Sequence, residues 1–431
     1  MRLILLDIET KKRRHFDPIA LSRPIWELRV GMTSLGQKLI ARARAAEVAG
    51  FVVPYLADTA RARSGFKIND PAALTGDDLL LVNARLKPAA LDALDALDVA
   101  GATTFLAAPD GELLAAVVRQ ADLARLSGGS IDDLLASSKQ AFVWKTADLP
   151  AWNYVWDLVL ANPAVIAEDF AAAGRSGIEG SVEAPSAVRG SRKDVFVARG
   201  CVVHPMVVID ASHGPVYLDE DVEVHPFTRI EGPCYVGKKS ILLGAKCREG
   251  MSIGPVCRVG GEVEESIIQG YSNKYHDGFL GHAYVGEWVN LGAMTTNSDL
   301  KNDYGNISVT LDGHAPIDTG STKVGSLIGD HTKTSIGTLF NTGAYVGAMA
   351  LILATGKPLP KYIPSFAWYL EGVVTKGFGK GKLYETARTA MGRRKCQWTP
   401  ADQVMWDAIF EMTAPQRDEA VRKGRKAMAR S

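Results

Sequence analysis

An α/β domain followed by a left-handed parallel β-helix and a helical tail is the architecture this sequence predicts, and three observations predict it. Short apolar runs alternate with helical patterns up to about residue 180. Aliphatic residues then recur at every sixth position to about residue 375, and amphipathic, basic segments replace them over 376–431. A chain of 431 residues is also too long for one ordinary core, so two or three domains are expected.

In the first domain, residues 1–180, Met1–Asp7 reads as a strand and Leu79–Asn83 (LLLVN) as another, buried on both faces. Leu35–Ala49 has helical spacing, as has Ala89–Leu97 further on. Strands alternating with helices imply a parallel sheet. Trp152–Phe170 reads as a helix leading out of the domain, and Gly174–Arg192, rich in Gly, Ser, Glu and Arg, as a linker.

The second domain, 190–375, carries the repeat. Leu218, Val224, Ile230, Val236 and Leu242 are six apart, and the spacing returns at Ile253/Val259, at Val285/Leu291 and through Ile328, Thr334, Phe340, Val346 and Ile352. Neither a helical nor a strand period produces this. Three hexads, each a short strand plus a turn, close a triangular coil whose aliphatic residues stack inward. A β-sandwich needs a longer and less regular repeat. Glycine often follows the aliphatic residue, as in Val236-Gly237, Ile253-Gly254 and Val346-Gly347, where a turn backbone would suit it. Glu262–Gly278 and Thr295–Lys323 interrupt the hexads and are expected to project as loops. In the third region, 376–431, Leu383–Arg394 and Ala401–Met412 read as amphipathic helices and Gln416–Arg430 as a basic one. Their expected role is to cap the open end of the solenoid, with Arg422–Arg430 a solvated face.

Composition narrows the function. Hydrophobic residues make up 47% and charged residues 23%, and 49 basic side chains balance 48 acidic ones to a net charge of +1. That balance argues against nucleic-acid or membrane partners. The five cysteines form no C-x-x-C pair, and three of the first four lie in apolar or glycine-flanked repeats, where a thiol reads as a small hydrophobe. The N-terminus lacks a signal-peptide pattern and no apolar run approaches 18 residues, so a cytoplasmic protein is expected.

The run EVEESIIQGYSNKYHDGFLGHAYVGEWVNLGAM (Glu262–Met294) resembles the acetyltransferase half of the bifunctional N-acetylglucosamine-1-phosphate uridylyltransferase / glucosamine-1-phosphate acetyltransferase family. His276, Phe279-Leu280-Gly281, Val285-Gly286 and Val289-Asn290-Leu291-Gly292-Ala293 follow the family's order without a gap. SRPIWELRVG (Ser22–Gly31) and TTNSDLKNDYG (Thr295–Gly305) resemble a divergent branch with a shortened N-terminal domain. The resemblance implies a nucleotidyltransferase-like first domain, an acyltransferase β-helix, acetyl-CoA as co-substrate and a sugar phosphate as acceptor. It also implies uridylyl transfer from UTP with Mg2+, and a homotrimer with cyclic symmetry.

Carried over position by position, His276 matches the catalytic base, Asn290 a sugar-binding asparagine and Ala293 the alanine whose N–H faces the acetyl group. Arg248 matches, across a gap, an arginine that grips phosphate, and Phe279 lies in the substrate stretch. Ser335, with Ala293 and Gly292, leaves room for the pantetheine arm. Histidine suits the base because its neutral imidazole accepts a proton at physiological pH.

Several positions depart from the family. A phosphate-contacting lysine is replaced by Glu264. The nucleotide loop L-x-A-G-x-G-T-R is absent, Leu5–Arg13 reading LLDIETKKR, and the Mg2+-binding Gly-Asp falls on Ala84-Arg85. Arg23 and Arg29 are the replacement phosphate ligands expected there. Two other classes compete with acyl transfer. A zinc hydrolase resembling the gamma-class carbonic anhydrases would need three of His276, His282, His314 and His331 on one metal. A scaffold that binds nucleotide sugars would turn nothing over.

Overall fold

The computed structural model describes residues 1–99 and 101–429. Three segments follow one another: a seven-stranded mixed sheet flanked by helices, a parallel β-helix, and three helices that fold back over both. None of the described helices is long and apolar enough to cross a membrane.

The first sheet is built from β1 (Arg2–Asp7), β2 (Glu47–Val52), β3 (Lys67–Ile68), β4 (Leu79–Asn83), β5 (Thr104–Ala107), β6 (Leu113–Val118) and β7 (Trp144–Thr146), in the order β3-β2-β1-β4-β6-β5-β7. The strands β1 to β4 are parallel, and β6 runs antiparallel to both β4 and β5. Leu3, Ile4 and Leu5 are fully buried because both faces are covered. The helices are α1 (Leu35–Ala43), α2 (Ala57–Arg63), α3 (Ala90–Val99), α4 (Ile131–Ala141) and α5 (Val155–Ala173).

The single helix expected over Leu35–Ala49 divides in two. A capping box between Ser34 and Gln37 starts α1, Arg44 in left-handed backbone (φ 50°) ends it, and Glu47 onward joins β2 beside β1. At Gly50 a Cβ would lie 2.6 Å from the Trp26 ring, so this glycine serves packing on a strand.

The hexad positions line the interior of the β-helix. Leu218, Val224, Ile230, Val236, Leu242, Ile253 and Val259 are fully buried in one cluster that also holds Cys201, Cys234, Cys247 and Cys257. All five cysteines are free thiols, and burial pushes Cys247 and Cys257 up to about 12. Each coil rests on the next in register, Val216 over Cys234 and Cys234 over Met251.

Three expectations are corrected. The supposed linker already holds the first coil, whose strands Gly177–Ile178, Ser181–Val182 and Ala187–Gly190 pair with those of the second. Glu262–Gly278 does not project. It forms a shortened coil in which Ser252 pairs with Ile267 and Arg258 with Asn273. Thr295–Lys323 does leave the solenoid, after Thr296–Asn297, as an antiparallel hairpin of Ser308–Val309 and Ile317–Asp318. The glycines after the aliphatic residues are required for close approach. A Cβ on Gly254 would lie 2.1 Å from the Gln269 carbonyl, and one on Gly347 would lie 2.2 Å from the Ser365 nitrogen. Left-handed backbone falls instead on Lys239, Val256, Trp288, His331 and Met349, two residues further on.

The final helices, α6 (Gly379–Gly392), α7 (Pro400–Met412) and α8 (Ala414–Met428), do more than cap. Gly424 of α8 packs on the last hairpin, where a Cβ would meet the Val374 carbonyl at 2.3 Å. Met405 of α7 accepts from the Thr59 hydroxyl of α2 at 3.4 Å. Trp406, Ile409, Phe366 and Tyr384 join the core of the first domain to the side of the solenoid. Arg430, the end of the expected basic helix, lies outside the described residues.

His282 ties two coils from within this frame. Its Nδ1 lies 2.8 Å from Asp299 and its Nε2 lies 3.2 Å from Glu265. Burial opposes the charge, but the two carboxylates outweigh it and raise the imidazole to about 9. A pKa above the unfolded value stabilises fully below about pH 6.5, and that contribution is lost as pH rises through 9. Stability to urea should therefore fall by roughly 3 kcal/mol between pH 6.5 and 9.5 through this group, and His282→Gln should flatten that slope. An unchanged pH dependence in the variant would refute this.

Candidate functional site

Four outward-facing side chains stand in line on one face of the β-helix. Arg258 pairs with Asn273, Asn273 with Asn290, and Asn290 with Lys333, one rung per coil. Their neighbours Val259, Leu291 and Thr334 point inward, as strand alternation requires. The helix α6 lies across this ladder. Arg394, just past its end, donates to Asn273 Oδ1 at 3.0 Å, and Asn273 Nδ2 donates to Asn290 Oδ1 at 3.1 Å.

Between ladder and helix is a cavity of about 780 Å3. The coils contribute His276, Asn290, Gly292 and Ala293, and α6 with the turn after it contributes Lys382, Glu385, Arg393 and Arg394. Its cations are Arg258, Lys333, Lys382, Arg393 and Arg394, whereas Glu385 is paired with Lys382 at 2.9 Å. A concave site with this excess of positive charge suits an anionic ligand.

The turns that carry His276 and Ala293 are held from below. Lys274 occupies an inward hexad position beside Val259, and its ammonium donates to the carbonyls of Gly260 and His276. Burial lowers this lysine to about 8. The Asp277 carbonyl accepts the Met294 N–H at 2.8 Å, which locks the His276 turn to the Ala293 turn. His276 is exposed on its turn, with its ring edge-on to Tyr275 at 5.5 Å. Gly292 N–H donates to Thr334 Oγ1 at 3.0 Å, while Ala293 N–H meets no acceptor among the described residues. Lys333 donates to the carbonyls of Trp288 and His331, and burial lowers it to about 7.

His276, Asn290 and Ala293 thus share one cavity, and the other residues singled out from the sequence stand elsewhere. Arg248 pairs with Glu264 at 2.7 Å and lies outside the cavity wall. Phe279 packs against Gly281, and its N–H donates to Thr296 Oγ1 at 3.3 Å. Ser335 lies one coil beyond Gly292, where its hydroxyl accepts the Ala354 N–H at 2.8 Å. The cations that do line the cavity went unnoticed in the sequence. Lys333 shares the strand register of Asn290, and that register could have indicated it. Nothing local reveals Arg393 and Arg394, which arrive by the fold-back of α6.

Arg23 and Arg29 are engaged between domains. Arg23 is buried against Asp330 and lies 3.0 Å from Glu287, both on the β-helix. Arg29 Nη1 donates to the Met32 carbonyl at 2.6 Å, and its guanidinium sits over the Tyr235 ring. At the carboxyl ends of β1 and β4, a cavity of only about 10 Å3 remains among Asp7, Arg13, Asn83 and Arg85. Asp7 pairs with Arg13 at 3.3 Å and accepts the Ile25 N–H at 3.1 Å, and Arg85 pairs with Glu112. These oxygens are engaged, and position 85 offers a cation where a carboxylate would be needed, so the residues do not fit a bound Mg2+.

The four histidines weighed for zinc do not form a common cluster among the described residues. His282 is held by two carboxylates, His314 lies on the exposed hairpin, and His331 is enclosed by Trp288, Trp398 and Trp406.

Comparison with known proteins places these features. Residues 3–176 match the sugar nucleotidyl transferase family. A bifunctional sugar-1-phosphate nucleotidylyltransferase/acetyltransferase of Sulfurisphaera tokodaii is 33% identical over 150 residues, covering 32% of this chain and 35% of that protein. The bifunctional protein GlmU of Azorhizobium caulinodans is 33% identical over 105 residues, covering 24% of this chain and 22% of its own length. The matches thus span about a third or less of these relatives. A solved UDP-N-acetylglucosamine acyltransferase aligns with 57% of this chain and 93% of its own, at 14% identity and a TM-score of 0.25. Residues 3–176 therefore form a domain of the sugar nucleotidyl transferase family, and up to about a third of the chain is similar in sequence to bifunctional sugar-1-phosphate nucleotidylyltransferase/acetyltransferases.

Proposed function

We propose that the cavity under α6 transfers an acetyl group from acetyl-CoA to the amine of a hexosamine 1-phosphate, with glucosamine 1-phosphate as the first acceptor to test. The observation that carries this reading is the meeting of His276, Asn290 and the unbonded Ala293 N–H beneath a group of basic side chains. In this mechanism the imidazole of His276 takes a proton from the attacking amine. The new C–N bond forms at the thioester carbonyl to give a tetrahedral oxyanion, whose collapse breaks the C–S bond, and the thiolate leaves with the proton returned by the imidazolium. Ala293 N–H is a donor for the tetrahedral oxyanion. Asn290, fixed by Asn273 and Arg394, orients the sugar. Lys333, Arg258 and the arginines after α6 take the phosphate, a role the family resemblance implied for Arg248.

A second activity, uridylyl transfer, has the family match of residues 3–176 in its favour. The closed pocket at β1 and β4 opposes it, since a nucleotide could enter only by breaking the Arg13–Asp7 pair. Self-association belongs to the same reading. The β-helix exposes Met206, Phe227, Leu243, Met294, Ile336 and Leu353, apolar surface suited to a homotrimer.

One experiment separates the two activities. Full-length protein is incubated with acetyl-CoA, glucosamine 1-phosphate, UTP and Mg2+, with both products followed. N-acetylated sugar phosphate and free CoA are expected in equal amounts, without pyrophosphate. Absence of acetylation would overturn the reading, and pyrophosphate release would restore the second activity.

A further inference from the structure

Two coils below Arg258, on the same face of the β-helix, the early coils carry a cluster that the acyltransferase reading does not use. Glu183, His204 and His225 occupy equivalent positions on three successive coils, since the Glu183 N–H bonds the Val203 carbonyl and the His204 N–H bonds the Val224 carbonyl. Glu223 sits beside them on the same strand as Val224. The Nε2 atoms of His204 and His225 both point at Glu223 Oε1, at 3.2 and 3.3 Å, and the three ligand atoms lie within 4.8 Å of one another.

We propose that His204, Glu223 and His225 form a binding site for one divalent transition metal ion, Zn2+ foremost, with a fourth position open to solvent. Two imidazoles and a carboxylate make a borderline donor set that favours zinc over the hard cations Mg2+ and Ca2+. With ligand bonds of about 2.0–2.1 Å, neighbouring donors of a tetrahedral ion lie about 3.3 Å apart, and the two histidine-to-glutamate separations match this. A second feature points the same way. The other ring nitrogen of His204, Nδ1, faces Glu183 at 3.7 Å, an ion-pair distance from which a small shift would let that carboxylate orient a metal-bound imidazole. Adjacent coils hold both rings, whose centroids are 5.2 Å apart, so little ordering would remain for the ion to impose. All three ligands are half-buried and leave an approach from solvent.

The test is calorimetric titration of chelator-treated full-length protein with ZnCl2, followed by CoCl2 absorption spectra. One ion per chain is expected, with visible d–d bands of a low-coordinate cobalt site. The double variant His204→Ala/His225→Ala should lose that ion, and Glu183→Gln should weaken it by about 10–100-fold. Both variants should retain the cooperative thermal transition, and His276→Ala should bind zinc as the parent does. Binding that survives the double variant, or no binding at 100-fold excess, would overturn the proposal. Lys238 and Lys239, on the following turn, leave the cluster intact and supply a control substitution, Lys239→Ala, expected to change nothing.

Discussion

His276→Ala is expected to lower kcat for acetyl transfer by about 10²–10⁴-fold, the usual cost of removing a general base. Its side chain is exposed on a turn whose backbone is fixed by Lys274 and by the Asp277–Met294 hydrogen bond. Removing the imidazole should therefore leave the fold and melting temperature unchanged. KM for the sugar phosphate should change little, because the phosphate is held by other residues. Steady-state kinetics of CoA release check the rate, and a rate within a few-fold of the parent would assign the base elsewhere. Lys333, lowered to about 7 by burial in the same cavity, is then the first alternative to examine.

Arg23→Met is expected to destabilise the protein by about 3–5 kcal/mol, the range for breaking one side of a buried ion pair. Arg23 is almost fully buried, and Asp330 also accepts from Ser22 Oγ at 2.6 Å and from the Glu287 N–H at 2.8 Å. Without the guanidinium, the buried Asp330 would be left unpaired beside the half-buried Glu287. The loss should be partly recovered in Arg23→Met/Asp330→Asn, and the coupling read by urea denaturation would measure the pair. A nucleotide-binding role for Arg23 predicts instead a stable variant with altered UTP affinity, so the two outcomes exclude each other.

The His276–Ala293 half of the site was legible because its residues are close in the chain and carry a fixed motif on consecutive coils. The solenoid was legible for a related reason, since a six-residue period repeats one local rule many times. Cys234 in place of an aliphatic residue leaves that rule intact, and Lys274 bends it in order to fix the His276 turn. The first coil was missed because Gly177–Gly190 has weak hydropathy and is completed only by pairing with the coil above it. The strand Glu47–Val52 was likewise absorbed into a helix, since its identity depends on lying beside β1.

What the sequence determined by itself was therefore whatever short-range periodicity and turn chemistry specify: the repeat, its inward residues, the terminal helices and the histidine turn. Tertiary structure alone decided where charges finish. Arg23 and Arg248, both read as phosphate ligands, lie against carboxylates, Arg248 against one of its own neighbourhood and Arg23 against Asp330, some three hundred residues away. Arg393 and Arg394, which nothing local distinguishes from solvated tail residues, reach the cavity. For Arg23 the physical reason is that a buried guanidinium must find a carboxylate, and which one it finds is set by how the domains dock rather than by the residues beside it.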